Sequence, residues 1–224
     1  MSELIRRPFI VFEGLDGSGK STQVRLLGER LRSLGLKVYE TAEPTNSPIG
    51  SLIRNIMTGR IVSDHATIAA LFVADRLDHL QNNANGICLK LASGHVVLAD
   101  RYYFSSYAYH SVHVPMDWVI AANSLCADIL KPDLSIFLDV EPSECFRRLN
   151  NQNRHLELYE SVDALEKVRA NYLEAFGRLE NFEIVEVVDG NQGVADISNR
   201  IWTLLVKRSM PWAGQQSDVF SISV

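Results

Sequence analysis

Apolar residues along the chain fall into two alternating patterns. Short runs rich in apolar and β-branched residues predict five β-strands, near residues 9–13, 37–41, 96–99, 134–140 and 183–188. Between them, apolar residues recur at helical spacing, as Val24, Leu27 and Leu31 do ahead of Gly35. Similar stretches predict helices near residues 49–57, 66–81, 84–93, 162–176 and 194–207, and one more that begins at Pro142.

The order of these elements indicates the fold class. Strands separated by helices pair in parallel through right-handed crossovers. The strands are almost continuously apolar, which is typical of a sheet covered on both faces. We therefore expect an α/β fold with a five-stranded parallel sheet and helices on both faces, in one domain spanning residues 1–207. Residues 208–224 have no helical period, and we interpret them as a C-terminal tail of unknown role.

Composition narrows the class of protein. Hydrophobic residues make up 46% of the 224 residues, and the formal net charge is −5, so no overall positive field favours a polyanion such as DNA. The cysteines at positions 88, 126 and 145 lack the spacing of a zinc or redox pair, and we interpret them as reduced thiols. No apolar run suits a signal peptide or a membrane span. We expect a cytoplasmic protein without nucleic-acid or membrane partners.

Residues 14–21 carry the clearest chemical signal. They fit the phosphate-loop pattern G-x-x-x-x-G-K-[ST] and lie between a predicted strand and a predicted helix. Glycines let backbone N–H groups surround phosphate oxygens, and the helix N-terminus adds partial positive charge. We expect Lys20 to bridge the β- and γ-phosphates of ATP and the Ser21 hydroxyl to reach Mg²⁺. The expected ATP-binding residues are Gly14, Leu15, Asp16, Gly17, Ser18, Gly19, Lys20, Ser21 and Thr22.

A phosphate loop alone is compatible with kinases, GTPases, motor ATPases and transport ATPases. The chain lacks the guanine-reading Asn-Lys-x-Asp segment that GTPases usually carry. Motors and transporters normally belong to larger chains. A small kinase with the P-loop kinase fold, acting on a small phosphate acceptor, therefore fits the length of the chain best.

Two segments are candidates for binding that acceptor. Phe72 and Arg76 are four residues apart and share one helix face, where a ring and a guanidinium suit a nucleobase. In isolation, a core phenylalanine beside a surface ion pair is the simpler interpretation of these two residues. Asp100 and Arg101 end the third predicted strand, at the sheet edge where ligands of parallel sheets bind. Arg101 there can clamp an acceptor phosphate, although an Asp–Arg ion pair among packed aromatic rings is the alternative.

A third segment, at residues 147–160, is polar, rich in asparagine and placed between two predicted helices. This composition suits a short mobile lid, which we assign to about residues 148–160. Arg148 and Arg154 could swing over the transferring phosphoryl group. The solvated tip of a helical hairpin is the alternative.

Taken together, these segments resemble the thymidylate kinase family from Phe9 to about Leu205. The resemblance rests on the loop 13–23, Glu43-Pro44-Thr45 with Pro48-Ile49-Gly50, Leu71-Phe72 with Arg76, Asp100-Arg101-Tyr102 with Ser105 and Tyr109, Pro132-Asp133-Leu134, and Arg154 followed by Glu157-Leu158-Tyr159-Glu160. Each motif is modestly specific alone, but their order and spacing are highly specific. The family implies an ATP:dTMP phosphotransferase that uses Mg²⁺ and supplies dTDP for dTTP synthesis. It also implies a homodimer built on helices that flank the sheet.

The resemblance implies roles for single residues at the base and the phosphate of dTMP. Phe72 would stack on thymine, and Arg76 would bond to it. Ser106 would lie at the edge of the base, and Arg101 would hold the acceptor phosphate. The dTMP-binding residues implied in this way are Asp16, Pro44, Phe72, Arg76, Arg101, Ser106, Tyr109 and Tyr159.

The resemblance also implies roles around the sugar and the metal. Asp16 would contact the deoxyribose 3′-hydroxyl or the magnesium shell, and Tyr109 would crowd the 2′ position. Tyr159 and Glu160 would close on the acceptor from the lid. The magnesium shell would contain Ser21, with Asp16, Asp100 or Glu160 as further candidates.

Two departures from the family pattern affect these roles. The phosphate loop contains no arginine, whereas some members carry one there, so the catalytic arginine must come from the lid. Arg154 is its main candidate and completes a catalytic set with Lys20, Arg101 and Asp16. The segment after Pro44 lacks the Gly-Gly or Arg of some relatives, which leaves a phosphate contact there open.

Two other functions remain compatible with the sequence. A kinase of another nucleoside or nucleoside monophosphate could use the same scaffold. A nucleotide-binding regulatory protein without turnover would need to lack the lid or Lys20, and the sequence retains both.

Overall fold

A computed structural model describes residues 7–151 and 161–208 of the chain. Its strands are β1 (Phe9–Gly14), β2 (Val38–Ala42), β3 (Val96–Asp100), β4 (Leu134–Asp139) and β5 (Val185–Asp189). Its helices are α1 (Lys20–Ser33), α2 (Pro48–Met57), α3 (His65–Gln81), α4 (Ile87–Ala92), α5 (Tyr103–His110), α6 (Met116–Ile129), α7 (Pro142–Asn150), α8 (Val162–Leu179) and α9 (Val194–Lys207).

The five strands form one parallel sheet in the order β2-β3-β1-β4-β5. Every residue of the central strand β1 is buried, because side chains that alternate between the two faces of a strand meet a covering layer on each. Phe9 and Val11 pack into a core with side chains of α5, α6 and α8. Ile10 and Phe12 pack into the other core, with side chains of α1 and α9. The predicted α/β class, with a five-stranded parallel sheet, is confirmed.

Two helices, α5 and α6, were not predicted. All eight residues of α5 are buried. Its sequence therefore lacks the alternation of buried apolar and exposed polar positions from which an amphipathic helix is predicted. Its tyrosine-rich sequence also has only moderate helix propensity. In α6 the buried face includes Asn123, whose polar side chain interrupts the apolar pattern. Both helices belong to the layer that carries the acceptor side of the site described below.

Three further predictions concern a membrane span, the lid and the C-terminal tail. No helix in the two described ranges has the length and apolar character needed to cross a bilayer. The lid assigned to residues 148–160 and the tail assigned to 208–224 lie mostly outside these ranges, so both stay predictions.

Candidate active site

The phosphate loop connects β1 to α1, as predicted. Gly14, Gly17 and Gly19 have φ angles of 146°, 81° and 96°, which favour glycine. A Cβ at Gly17 would lie 2.7 Å from the carbonyl oxygen of Cys145 on α7, so the close approach of loop and helix also requires glycine. Gly19 precedes α1 without a side-chain cap. The first N–H groups of α1 are therefore available to an anion.

Lys20 lies inside the loop rather than in solvent. Its side chain is buried, and Nζ donates a hydrogen bond to the carbonyl oxygen of Leu15 at 2.8 Å. Burial and the positive charge of Arg101 both lower the pKa of Lys20, while nearby carboxylates, among them those of Asp100 and Asp16, oppose the shift. A cation held in this way is oriented before phosphate arrives.

Ser21 and Asp100 form a small set of oxygen ligands beside the loop. The Ser21 hydroxyl donates to Oδ2 of Asp100. The other carboxylate oxygen, Oδ1, is buried and has no hydrogen-bond partner among the described residues. Mg²⁺ prefers such oxygens and commonly takes only one or two protein ligands, with phosphate and water completing its shell. The pair therefore fits Mg²⁺, although the described ranges contain no cluster of three or more acidic, histidine or cysteine residues suited to a metal.

A pocket opens next to the loop on the β2–β3 side of the sheet. It brings together seven of the eight residues expected to bind dTMP, namely Asp16, Pro44, Phe72, Arg76, Arg101, Ser106 and Tyr109. Five further residues that sequence reasoning did not assign to dTMP also line it: Glu43, Arg54, Met57, Ser105 and His110. We call this cavity the acceptor pocket.

Arg76 lies at one end of the acceptor pocket, and its guanidinium group is fully hydrogen-bonded to the protein. Nε and Nη2 donate to Oε2 of Glu43 at 2.9 and 2.6 Å. Nη1 donates to the Ser106 hydroxyl at 3.0 Å and to the side-chain oxygen of Asn123, and Nη2 also donates to the Tyr102 carbonyl at 3.1 Å. All five guanidinium hydrogens thus have protein partners. A base that bonds to Arg76 must displace or share one of them.

Arg101 lies at the opposite end, against the phosphate loop. Nη2 donates to Oδ1 of Asp16 at 2.6 Å and to the Tyr109 hydroxyl at 3.2 Å, and Nη1 donates to the Ser105 hydroxyl at 2.9 Å. The Tyr109 hydroxyl donates to Oδ2 of Asp16 at 2.9 Å and accepts the backbone N–H of Asp16 at the same distance. Burial alone would raise the pKa of Asp16, but Arg101 and Lys20 outweigh it and lower the pKa to about 2. Asp16 is therefore an anion at neutral pH.

Glu13, the residue before the loop, is a buried carboxylate to which the sequence analysis assigned no role in the site. It accepts hydrogen bonds from the Ser105 hydroxyl, the Tyr172 hydroxyl and the backbone N–H of Tyr102. Burial raises its pKa to about 7, although these bonds and Arg101 favour the charged form. No local pattern could have revealed this cluster, because its members come from β1, α5 and α8.

His110 and Phe72 form an aromatic wall of the acceptor pocket, with ring centroids 4.8 Å apart. Burial, with Arg76 and His65 nearby, lowers the pKa of His110 to about 3, so the ring is neutral at physiological pH. Its Nδ1 atom is buried and has no hydrogen-bond partner in the part of the chain that the structure describes. A neutral, unpartnered ring nitrogen beside a stacking ring suits the polar edge of a heterocycle.

Arg54 is the third arginine of the acceptor pocket. Nη1 donates to the carbonyl oxygens of Pro44 and Thr45 at 3.0 and 2.5 Å. Nη2 donates to the Ser51 hydroxyl at 3.1 Å. Arg54 thus supports the segment after Pro44, where the sequence left a phosphate contact open.

Arg148 lies on the other side of the phosphate loop. Its Nη1 and Nη2 atoms lie 3.4 and 3.5 Å from the carbonyl oxygens of Gly17 and Gly190, and Nε donates to Glu144 at 2.7 Å. Arg148 therefore joins the loop to the turn after β5.

Comparison with known proteins decides the family. A sequence model described as thymidylate kinase matches residues 12–201 of the chain. The chain belongs to the thymidylate kinase family. A protein of Pyrococcus horikoshii named "Probable thymidylate kinase" is 38% identical over 207 residues, covering 90% of this chain and 97% of the relative. Proteins of the same printed name from Thermococcus onnurineus and Caldivirga maquilingensis are each 37% identical, covering 88% of this chain and 96% and 92% of the relatives. The predicted family and its thymidylate kinase activity are confirmed.

For a thymidylate kinase, the predicted residues divide by position. Asp16 belongs to the loop and also lines the acceptor pocket, whereas Lys20, Ser21 and Asp100 do not line that pocket. Arg154, Tyr159 and Glu160 lie outside the described residues, so their roles in the lid stay predictions. The residues that sequence reasoning missed, Glu13, Arg54 and His110 among them, all contact the site through residues distant in sequence.

Proposed function

We propose that the acceptor pocket binds dTMP and that the phosphate loop binds ATP, so that the γ-phosphoryl group passes directly from ATP to the dTMP phosphate. One observation carries this assignment. Asp16, inside the loop, bonds to both Arg101 and Tyr109 of the acceptor pocket. The donor and acceptor sites therefore adjoin at one residue, which supports direct transfer between two bound nucleotides, because such transfer needs their phosphates close together.

The residues at this junction act mainly by neutralising and aligning charge. Both substrates are anions and repel each other before they react. Lys20 binds the donor phosphates, while Arg101 binds the acceptor phosphate through guanidinium hydrogens that the described residues leave without partners. Ser21 and Asp100 would hold Mg²⁺, which offsets phosphate charge when bound. The acceptor phosphate is itself the nucleophile, so no general base is needed.

The far end of the acceptor pocket selects the base and the sugar. Phe72 stacks on thymine, and Arg76 and Ser106 bond to its edge after one of their mutual contacts is exchanged. Nδ1 of His110 provides a further polar contact to that edge. Tyr109 packs against C2′ of the sugar and leaves no room for a 2′-hydroxyl.

Several finer assignments rest on the family resemblance or on the composition and pattern of the sequence. Arg154 supplies the catalytic arginine, and Tyr159 and Glu160 close over the acceptor from a lid at about residues 148–160. The enzyme acts in the cytoplasm as a homodimer, supplies dTTP synthesis, and has no nucleic-acid or membrane partner. The kinase domain ends near residue 207.

A comparison of acceptors tests this function. With ATP and Mg²⁺, kcat/KM for dTMP should exceed that for dUMP, because a thymine methyl in an apolar pocket contributes about 10- to 200-fold. UMP should be poorer still, because its 2′-hydroxyl meets Tyr109. Equal use of UMP and dUMP would contradict the assignment of Tyr109, and preference for another base would contradict dTMP as the acceptor.

A further inference from the structure

Glu13 is a fully buried carboxylate that the mechanism above does not use, with 0% of its surface exposed. Its Oε2 atom accepts hydrogen bonds from the hydroxyls of Ser105, at 2.5 Å, and Tyr172, at 2.9 Å. Its Oε1 atom accepts the backbone N–H of Tyr102 at 3.0 Å. A buried charge is costly, and uncharged side chains of similar shape often stabilise a fold at least as well. The presence of a carboxylate at this buried position therefore needs an explanation other than packing.

Two of these three bonds lead to Arg101. The Ser105 hydroxyl, which donates to Glu13, accepts a hydrogen bond from Nη1 of Arg101 at 2.9 Å. Tyr102 directly follows Arg101, whose φ of 77° lies in the left-handed region. Such a conformation is unfavourable for a residue with a side chain and persists only where neighbours hold it. Glu13 thus holds both the guanidinium and the backbone of Arg101.

We propose that Glu13 is a positioning residue, which holds Arg101 ready for the acceptor phosphate and links it to the phosphate loop that begins at Gly14. The inference rests on the function proposed above. An ionised carboxylate accepts the hydrogens of both Ser105 and Tyr172 at one oxygen. A glutamine in its place, with its oxygen kept on Tyr102, would present N–H hydrogens there instead. Ser105 would then turn its hydrogen away, and the negative charge that orients Arg101 would be lost.

The test compares dTMP with thymidine, which has no phosphate, as ligands in calorimetric titrations above pH 7, where Glu13 is mostly ionised. Glu13→Gln should weaken dTMP binding about tenfold, equivalent to about 1.4 kcal/mol, while thymidine affinity changes less than twofold. Ser105→Ala, which cuts the link but keeps Glu13, should give the same pattern. In an Arg101→Ala background, Glu13→Gln should no longer change dTMP affinity, because the group that it positions is absent.

Ile201→Val is the control for a general loss of stability. Ile201 lies in the core on the opposite face of the sheet, so this variant should lower the melting temperature without changing either affinity. Equal losses of dTMP and thymidine affinity in Glu13→Gln and in Ser105→Ala would show a general packing role and overturn the inference. Unchanged dTMP affinity in both variants would also overturn it. Turnover of dTMP by the wild-type enzyme is measured in parallel, and its absence would overturn the proposed function itself.

Discussion

The two ends of the acceptor pocket use the same chemical pair in different ways. Arg76 and Glu43 approach to 2.6 Å, with only 1% and 2% of their side chains exposed. Arg101 and Asp16 approach to the same distance, with 14% and 38% exposed. The first pair is buried inside the fold, whereas the second joins the phosphate loop to the acceptor pocket.

Exposure decides what each pair can do. Buried ions must satisfy one another, because nothing else replaces lost water, and Arg76 accordingly has five protein bonds. Near the surface, the attraction between Arg101 and Asp16 is screened, and a phosphate can compete for the guanidinium. The base end is therefore expected to give stability and shape, and the phosphate end to give exchangeable charge.

Breaking the buried pair should produce the largest loss of stability. We expect Glu43→Gln to lower the free energy of unfolding by about 3 kcal/mol, because it leaves the charge of Arg76 buried without its carboxylate. Asp16→Asn should cost less than about 1 kcal/mol, since its side chain is partly exposed. Urea unfolding of both variants measures the difference. Similar losses for the two would show that exposure does not separate the pairs.

Removing the positive charge of Lys20 from the phosphate loop should instead affect turnover. Lys20→Ala should reduce kcat about a hundredfold or more, because a preoriented cation opposite developing charge is lost. Its circular dichroism spectrum should match that of the wild type. A variant with near-normal turnover would contradict the assignment of the phosphate loop.

In the proposed binding mode the sugar lies between the base and the phosphate, and Tyr109 should govern discrimination against a 2′-hydroxyl. Tyr109→Ala should narrow the ratio of kcat/KM between dUMP and UMP, by up to the 5- to 150-fold that an unpartnered buried hydroxyl costs, about 1–3 kcal/mol. Tyr109→Phe is the matched control, since it keeps the ring and should keep the ratio. If both substitutions change the ratio equally, the hydroxyl bound to Asp16 is responsible rather than the ring.

The smallest effect concerns pH and Glu13. Its pKa is raised from 4.5 to about 7 in the folded protein, so the folded state binds the proton more tightly than the unfolded state. Stability should therefore fall as pH rises from 4.5 through 7, by about 1 kcal/mol between pH 6 and 8. Glu13→Gln should remove this dependence. Parallel unfolding curves for the two proteins across that range would show that Glu13 does not titrate there.

The comparison also shows how far the sequence alone could lead. The phosphate loop and the parallel α/β class follow from local patterns, because the loop residues stand next to each other in the chain and strands that alternate with helices pair in parallel. The partners of Arg76 do not: they come from the segment after β2, from α5 and from α6. Asn123 in particular belongs to a helix that no periodic pattern revealed. Glu13 carried no sign of its role, since burial and long-range bonds define it.

The position of β1 at the centre of the sheet has a consequence for how the enzyme can evolve. All residues of the acceptor pocket outside the phosphate loop come from the β2–β3 side of that strand. Cys145 and Arg148, which approach the loop at Gly17, come from α7 and do not line the acceptor pocket. Substitutions in one half can therefore retune the choice of acceptor while the residues of the other half stay unchanged. Such a division separates changes in the acceptor pocket from changes in the contacts of the phosphate loop with α7.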